Sequence, residues 1–170
     1  LWLSQSADLQ NMRPDSFADL DVTVEDDDAI VVTLNSSRIN EITWLSEQRN
    51  LVVGTVGAQW VVGSEGAVVT PSDISAKLHS VTTSADIAAA QSNQVALFLD
   101  RSRRGLYEIG FSFDDNSYVT ELLTILSDHI FRSKAAETVQ YQRLPHSNLW
   151  APREDGRIAV RPSHEARGPF

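Results

Sequence analysis

Four histidines, His79, His129, His146 and His164, are the first residues to weigh for acid–base or metal chemistry. No two of them stand at metal-ligand spacing. His146 and His164 lie in proline-flanked, loop-like sequence, and His129 sits three residues before Arg132, where a helix-end contact is the plainer role. Asp26, Asp27 and Asp28 could gather oxygen ligands for a hard cation, but the segment lacks the glycine and distal glutamate of a calcium loop. A solvated turn leading into a strand from Ala29 to Leu34 accounts for them better. Asp114-Asp115 and Glu154-Asp155 read as turn residues. No serine occupies a Gly-x-Ser-x-Gly elbow, and Gly54-Thr55-Val56-Gly57 lacks both the lysine and the following helix of a phosphate loop. With no cysteine, thiol chemistry, disulfides and zinc–thiolate sites are excluded. The residues thus assign no catalytic, cofactor-binding or metal site, and no cofactor.

The four tryptophans, Trp2, Trp44, Trp60 and Trp150, fall mainly on apolar strand cores. They fit two roles, an aromatic platform for a sugar or the filling of a core at repeated positions, and the second is simpler. The elements that would position them emerge from an internal repeat. Leu1-Trp2-Leu3, Leu51-Val52-Val53, Leu97-Phe98-Leu99 and Leu149-Trp150-Ala151 begin 50, 46 and 52 residues apart. Each of the last three is followed by a second strand core: Gln59 to Val62, Leu106 to Ile109, and Arg157 to Val160. The connecting segments contain glycine, and two contain aspartate, as tight hairpins require. A third strand precedes each hairpin, at Ile39 to Leu45, Ala85 to Ala90 and Glu137 to Arg143, and Asp73 to Ser80 supplies a fourth in the first unit.

Antiparallel three- to four-stranded meanders repeating every 45–52 residues are the signature of β-propeller blades. About three blades fit in the chain, fewer than the roughly four to eight of a closed propeller. The expected fold is therefore all-β, a partial propeller over residues 1–160 with a tail at 161–170; a β-sandwich with fortuitous spacing is the alternative. One stretch departs from the β pattern. Thr120 to Phe131 carries Leu122, Leu123, Leu126 and Ile130 at helical spacing behind a threonine N-cap, which predicts one short helix crossing between blades.

Charge and composition narrow the function classes. The 170 residues are 42% hydrophobic and 22% charged, which is ordinary globular composition. The net charge of −9 argues against a sequence-independent nucleic-acid clamp, which needs a basic face. Residues 1–50 carry ten acids against three bases, peaking at Glu25 to Asp28; residues 101–170 carry nine against ten, with a basic cluster at Arg101, Arg103 and Arg104. Opposed patches of this kind either steer neighbouring copies together or simply stay solvated. No run of 18 apolar residues is present, so no helical membrane anchor is expected. The chain opens Leu1-Trp2-Leu3-Ser4, with neither methionine nor a signal-peptide pattern, and reads as an internal stretch of a longer polypeptide.

Ile39-Asn40-Glu41-Ile42-Thr43-Trp44-Leu45, followed by Asn50-Leu51-Val52-Val53-Gly54-Thr55 and Gln59-Trp60-Val61-Val62, resembles a stretch found in bacteriophage tail nozzle proteins, the tail tubular protein B-like components of short-tailed phages. The resemblance continues in order through Val69-Thr70-Pro71-Ser72, Val95 to Leu99, Leu106 to Val119, Leu123 to Ile130 and Ser147 to Trp150. It departs at Ser75 to His79, where the family often has an arginine-rich stretch, and over Arg161 to Phe170. The resemblance implies a non-enzymatic virion protein in the tail. Copies would form a homo-oligomeric ring, such as a hexamer, beside adaptor and fibre proteins, around a channel that phage DNA crosses without specific binding. An acidic channel wall would favour sliding over sticking. The competing class is a ligand- or carbohydrate-binding propeller, with Trp44, Trp60 and the hairpin-loop acids as its contacts.

Overall fold

The structure, a computed structural model, describes residues 1–5, 8–12, 26, 28–35, 41–64 and 69–162. It is all-β, with thirteen strands among the described residues arranged in four antiparallel sheets. β1 (Trp2–Leu3) pairs with β2 (Ile30–Val31). The first full blade is the meander β3 (Ile42–Glu47), β4 (Leu51–Thr55), β5 (Gln59–Gly63) and β6 (Ser75–Ser80). The second is β7 (Ala90–Ser92), β8 (Val95–Leu99), β9 (Leu106–Ser112) and β10 (Ser117–Leu122). The third has three strands, β11 (Gln140–Gln142), β12 (Asn148–Pro152) and β13 (Ile158–Pro162). Strands pair only within their own sheet, in chain order, which is the partial propeller-like arrangement expected from the repeat.

The sheets are stacked face to face, because successive side chains of a strand point to opposite faces and the central strands are apolar on both. In β4, Val53 packs toward the first sheet with Ile30, Val32, Trp60 and Val62, whereas Val52 packs toward the second blade. In β8, Ala96 and Phe98 meet Trp44, Val52 and Val61 of the first blade; Leu97 and Leu99 turn the other way, onto Val139, Leu149 and Ala151 of the third. Each middle blade is thus sandwiched. β7 and β11, the first strands of neighbouring blades, approach each other, and Gln91 Nε2 in β7 donates to the Glu47 carbonyl at the end of β3 at 2.6 Å. The first strands therefore converge on one side of the stack, as in a fan.

The turns follow the chemistry of their residues. Thr55 is fully buried, and its hydroxyl both donates to the Ala58 carbonyl at 2.7 Å and accepts from the Ala58 N–H at 3.1 Å, closing the β4–β5 hairpin. Asp100 Oδ1 accepts from the N–H groups of Arg104 and Gly105 and closes β8–β9. Gly156, at φ 75°, supplies the left-handed residue of the β12–β13 turn. Gly54-Thr55-Val56-Gly57 is accordingly strand and hairpin, with no phosphate-loop geometry.

Two elements differ from the sequence-based expectation. The predicted helix over Thr120 to Phe131 does not form. Tyr118 to Leu122 continue a ladder with Phe111 to Tyr107, and the only helical turn there is a three-residue 3₁₀ turn at Asp128–Ile130. β10 buries Tyr118 and satisfies its backbone on β9, while Ile125 and Leu126, the latter 92% exposed, would have had no partner for a helical face. Tertiary pairing outweighs a weak local preference. The strand predicted at Ala85 to Ala90 lies instead at Ala90–Ser92, since Ala85 is held by its N–H on the Leu99 carbonyl at 3.0 Å and belongs to the connector. The strand expected from Ala29 to Leu34 is formed at Ile30–Val31; Ile39 and Asn40 of the predicted third strand lie outside the described residues, and of the tail expected at 161–170, Arg161 and Pro162 belong instead to β13, paired with Leu149 and Asn148, while the rest lies outside the described residues.

In the first blade the Trp44 ring lies against the Gly54 backbone. A Cβ built on Gly54 would lie 2.1 Å from the Trp44 ring, and that ring in turn meets Phe98 at 5.2 Å across the blade interface. Gly54→Ala should therefore push Trp44 off Phe98 and cost about 1–3 kcal/mol. The expected readout is a lower denaturation midpoint at unchanged m-value, with a shift in tryptophan emission.

Candidate functional site

Fold geometry decides which of the predicted site residues could meet a ligand. Trp44 and Trp60 are buried, and among the described residues their indole N–H groups have no partner. They fill inter-blade space and offer no platform to a sugar. Trp150 is half-buried and donates from Nε1 to Gln142 Oε1 at 2.7 Å, within its own sheet. Trp2 alone among the tryptophans is open, at 62% exposure.

The histidines stay apart. His79 contacts the Tyr118 carbonyl through Nε2 and meets the Tyr118 ring edge-on at 5.6 Å, which makes it a joint between the first two blades. His129 lies on the 3₁₀ turn, where Arg132 pairs with Asp128 at 2.6 Å, and His146 is in an exposed turn. His164 lies outside the described residues, among which no group of three or more metal-ligating side chains comes together. Of the early acidic run, Asp26 is exposed and Asp28 is buried beside β2, so at Asp28 the expected solvated turn gives way to an enclosed carboxylate; Glu25 and Asp27 lie outside the described residues. Asp115 accepts from Ser112 Oγ at 2.9 Å, and Arg153 pairs with Asp155 at 2.9 Å, both in turns as expected. Within the basic cluster, Arg103 reaches Glu154 at 2.6 Å and ties the β8–β9 turn to the β12–β13 turn. Its charge joins two blades of one chain. Being surface-exposed, the pair is worth at most about 1 kcal/mol.

Two of the clefts that open between the described blades gather polar side chains from turns. One, of about 610 Å³, is lined by Glu47, Gln48, Arg49, Gln91, Phe111 and Phe113, among others. Arg49 lies 4.8 Å from the centre of the Phe111 ring, and Phe113 meets Phe111 edge-on at 5.2 Å. The other, of about 530 Å³, sits where hairpin turns and connectors gather: Glu41, Val56, Asp86, Arg101, Arg103 and Glu137. Neither cleft was foreseeable from spacing, because each draws residues from turns of two or three different blades.

Among the described residues, the outer strands of the stack also carry exposed apolar side chains. Leu3 and Ile30 face the first blade, so their neighbours Trp2 and Val31, cross-strand partners at 62% and 43% exposure, face outward. At the opposite end Leu149 and Ala151 face the second blade, which leaves Trp150 with its partners Gln140 and Val160, together with Ile158, on the outer side. Ile158 is 58% and Val160 45% exposed. The end strands carry continuous apolar runs, Leu1-Trp2-Leu3, Ile30-Val31-Val32 and Leu149-Trp150-Ala151, the pattern of strands buried on both faces.

This defines the class: an open stack of propeller-like blades, apolar at both ends. No protein-family model matches the chain, and no curated protein matches it.

Tyr118 links the first two blades by accepting from the Asn50 N–H at 3.0 Å. Burial raises its pKa, opposed by that hydrogen bond and by the nearby Arg49 charge. A raised folded pKa means that the contribution of Tyr118 to stability is complete below the unfolded value of about 10 and is lost as pH rises through the folded value. Tyrosinate absorbance should show late titration in the folded chain, and Tyr118→Phe should flatten the loss of stability above pH ~10.

Proposed function

We propose that this chain is a non-enzymatic structural component of a bacteriophage tail, a nozzle-type protein whose copies assemble into a ring around the genome channel. The observation that carries the reading is the open stack itself, since a row of blades with an apolar sheet at each end is built to be continued by further sheets. An ordered resemblance to tail nozzle sequences spanning most of the chain supports it. In this reading the partners are other copies, in a ring such as a hexamer, and adjacent adaptor and fibre proteins. DNA passes transiently, and a net charge of −9 disfavours its retention. The protein would reside in the virion tail.

Electron microscopy of the tail particle carrying this chain is the test. Propeller-like subunits ringed around an axial channel are the expected result, and an isolated monomer with no ring would overturn the assignment. The same images would place Glu25 to Asp28, and carboxylates on the outside of the ring would sink the acidic-lumen idea.

A ligand-binding role is the second reading, favoured by the cleft at Phe111 and Phe113. Its amide side chains, Gln48, Gln91 and Gln94, and its exposed aromatic edge suit a neutral sugar. Titration with a panel of neutral oligosaccharides should then show saturable binding, weakened roughly three- to tenfold by Phe113→Ala. Absence of binding across the panel removes this reading.

A further inference from the structure

A smaller cavity, of about 240 Å³, lies between the end of the second blade and the inward face of the third. Its walls are mainly apolar, formed by Leu106, Leu123, Ile130, Phe131, Leu149 and Ala151. We propose that it binds an aliphatic monocarboxylate of about eight to ten carbons, whose carboxylate pairs with Arg161 at the mouth. Neither reading above involves this cavity.

Strand register places the arginine. Leu149 pairs with Arg161 and Ala151 with Ala159, and directly paired residues share one face of a sheet. Leu149 and Ala151 face the second blade, so Ala159 and Arg161 face it too, and all four line the cavity. A position on that face ordinarily takes an apolar side chain. Arg161 is the one charged residue lining the cavity, and among the described residues its guanidinium has no hydrogen-bond or ion-pair partner. Its N–H donors form a fork that matches a carboxylate. Thr124, more than nine-tenths buried, is the second polar feature of the lining. Its hydroxyl oxygen accepts from the Leu106 N–H at 3.3 Å, and among the described residues its own hydrogen has no acceptor. A donor is thus left to the cavity, and an anion supplies the acceptor.

Size sets the body of the ligand. An apolar cavity of about 150 Å³ takes the six carbons of benzene, so 240 Å³ takes roughly ten. Drug-sized molecules need about 300 Å³ or more and are too large. An acid of this length offers its chain to the walls and its charge to the guanidinium. A neutral alcohol leaves the arginine unused, and a cation meets it as a like charge.

The test is calorimetric titration of the full chain with hexanoate, octanoate, decanoate and dodecanoate, each below its aggregation concentration. Affinity should rise roughly fourfold per methylene through octanoate and level off near decanoate, where the cavity is full. Decanol should bind roughly tenfold more weakly than decanoate. Arg161→Gln should cost decanoate about the same factor and leave decanol unchanged. Ala159→Leu narrows the cavity and should weaken decanoate by more than roughly tenfold. Circular dichroism checks that this variant folds, and Arg161→Gln, a change at an exposed side chain, decides the matter if it does not. Absence of saturable decanoate binding to the unchanged chain overturns the proposal. So do equal affinities for the acid and the alcohol, parental binding by Arg161→Gln or by folded Ala159→Leu, and an affinity still climbing at dodecanoate, which marks adsorption to the surface.

Discussion

The whole arrangement depends on sheets that are apolar on both faces. A strand pair such as Leu51-Val52-Val53 with Trp60-Val61-Val62 cannot leave either side in water without exposing several large side chains, each worth about 1.5–3 kcal/mol when buried. The only solution is to place another sheet on each side. Once that is required, the order of the blades along the stack follows the order of the chain, each meander packing on the one before it. The aromatic series Trp44, Phe98 and Tyr107, with centroid separations of 5.2 and 5.7 Å, is what this constraint looks like at the junction of the first two blades.

Polar groups serve that packing by holding edges and turns together. The Tyr118 hydroxyl takes the Asn50 N–H, Gln48 Nε2 donates to the Ile109 carbonyl at 3.2 Å, and Gln59, fully buried, donates to Ser84 at 3.0 Å. Each of these bonds runs between a blade and a neighbouring blade or connector. They set the relative position of sheets whose apolar faces alone would allow sliding. The ion pair Arg103–Glu154 acts similarly at the turns, with less energy and more exposure to salt.

Much of this was legible from the residues. The two-strand hairpins were readable because period-2 apolar runs flank glycine- and aspartate-bearing turns, and their recurrence disclosed the blades. What escaped was decided by partners distant in sequence. Nothing local in Thr120-Glu121-Leu122 distinguishes a helix start from an outer strand; the free edge of β9 makes the choice. Likewise Ala85 to Ile87 are apolar enough for a strand, but the Leu99 carbonyl claims the Ala85 N–H. The clefts were hidden for the same reason, since Gln48, Gln91 and Phe113 become neighbours only after two blades stack. The tryptophans were divided correctly between core and surface only by the structure, because Trp2 and Trp60 sit in similar apolar runs.

A row of sheets joined only to the next in line has a further consequence for how the molecule comes apart. Among the described residues, the second blade, with Phe98 and Ile109 almost wholly enclosed, has two neighbours, while the β1–β2 pair and the third blade have one each. Stability in such a linear array is set by couplings between adjacent units. Opening therefore starts at the extremities and works inward, so that the amides of β8 and β9 outlast those of β1 and β13 in exchange with solvent. Capping an extremity, by whatever partner, stiffens the full length of the array.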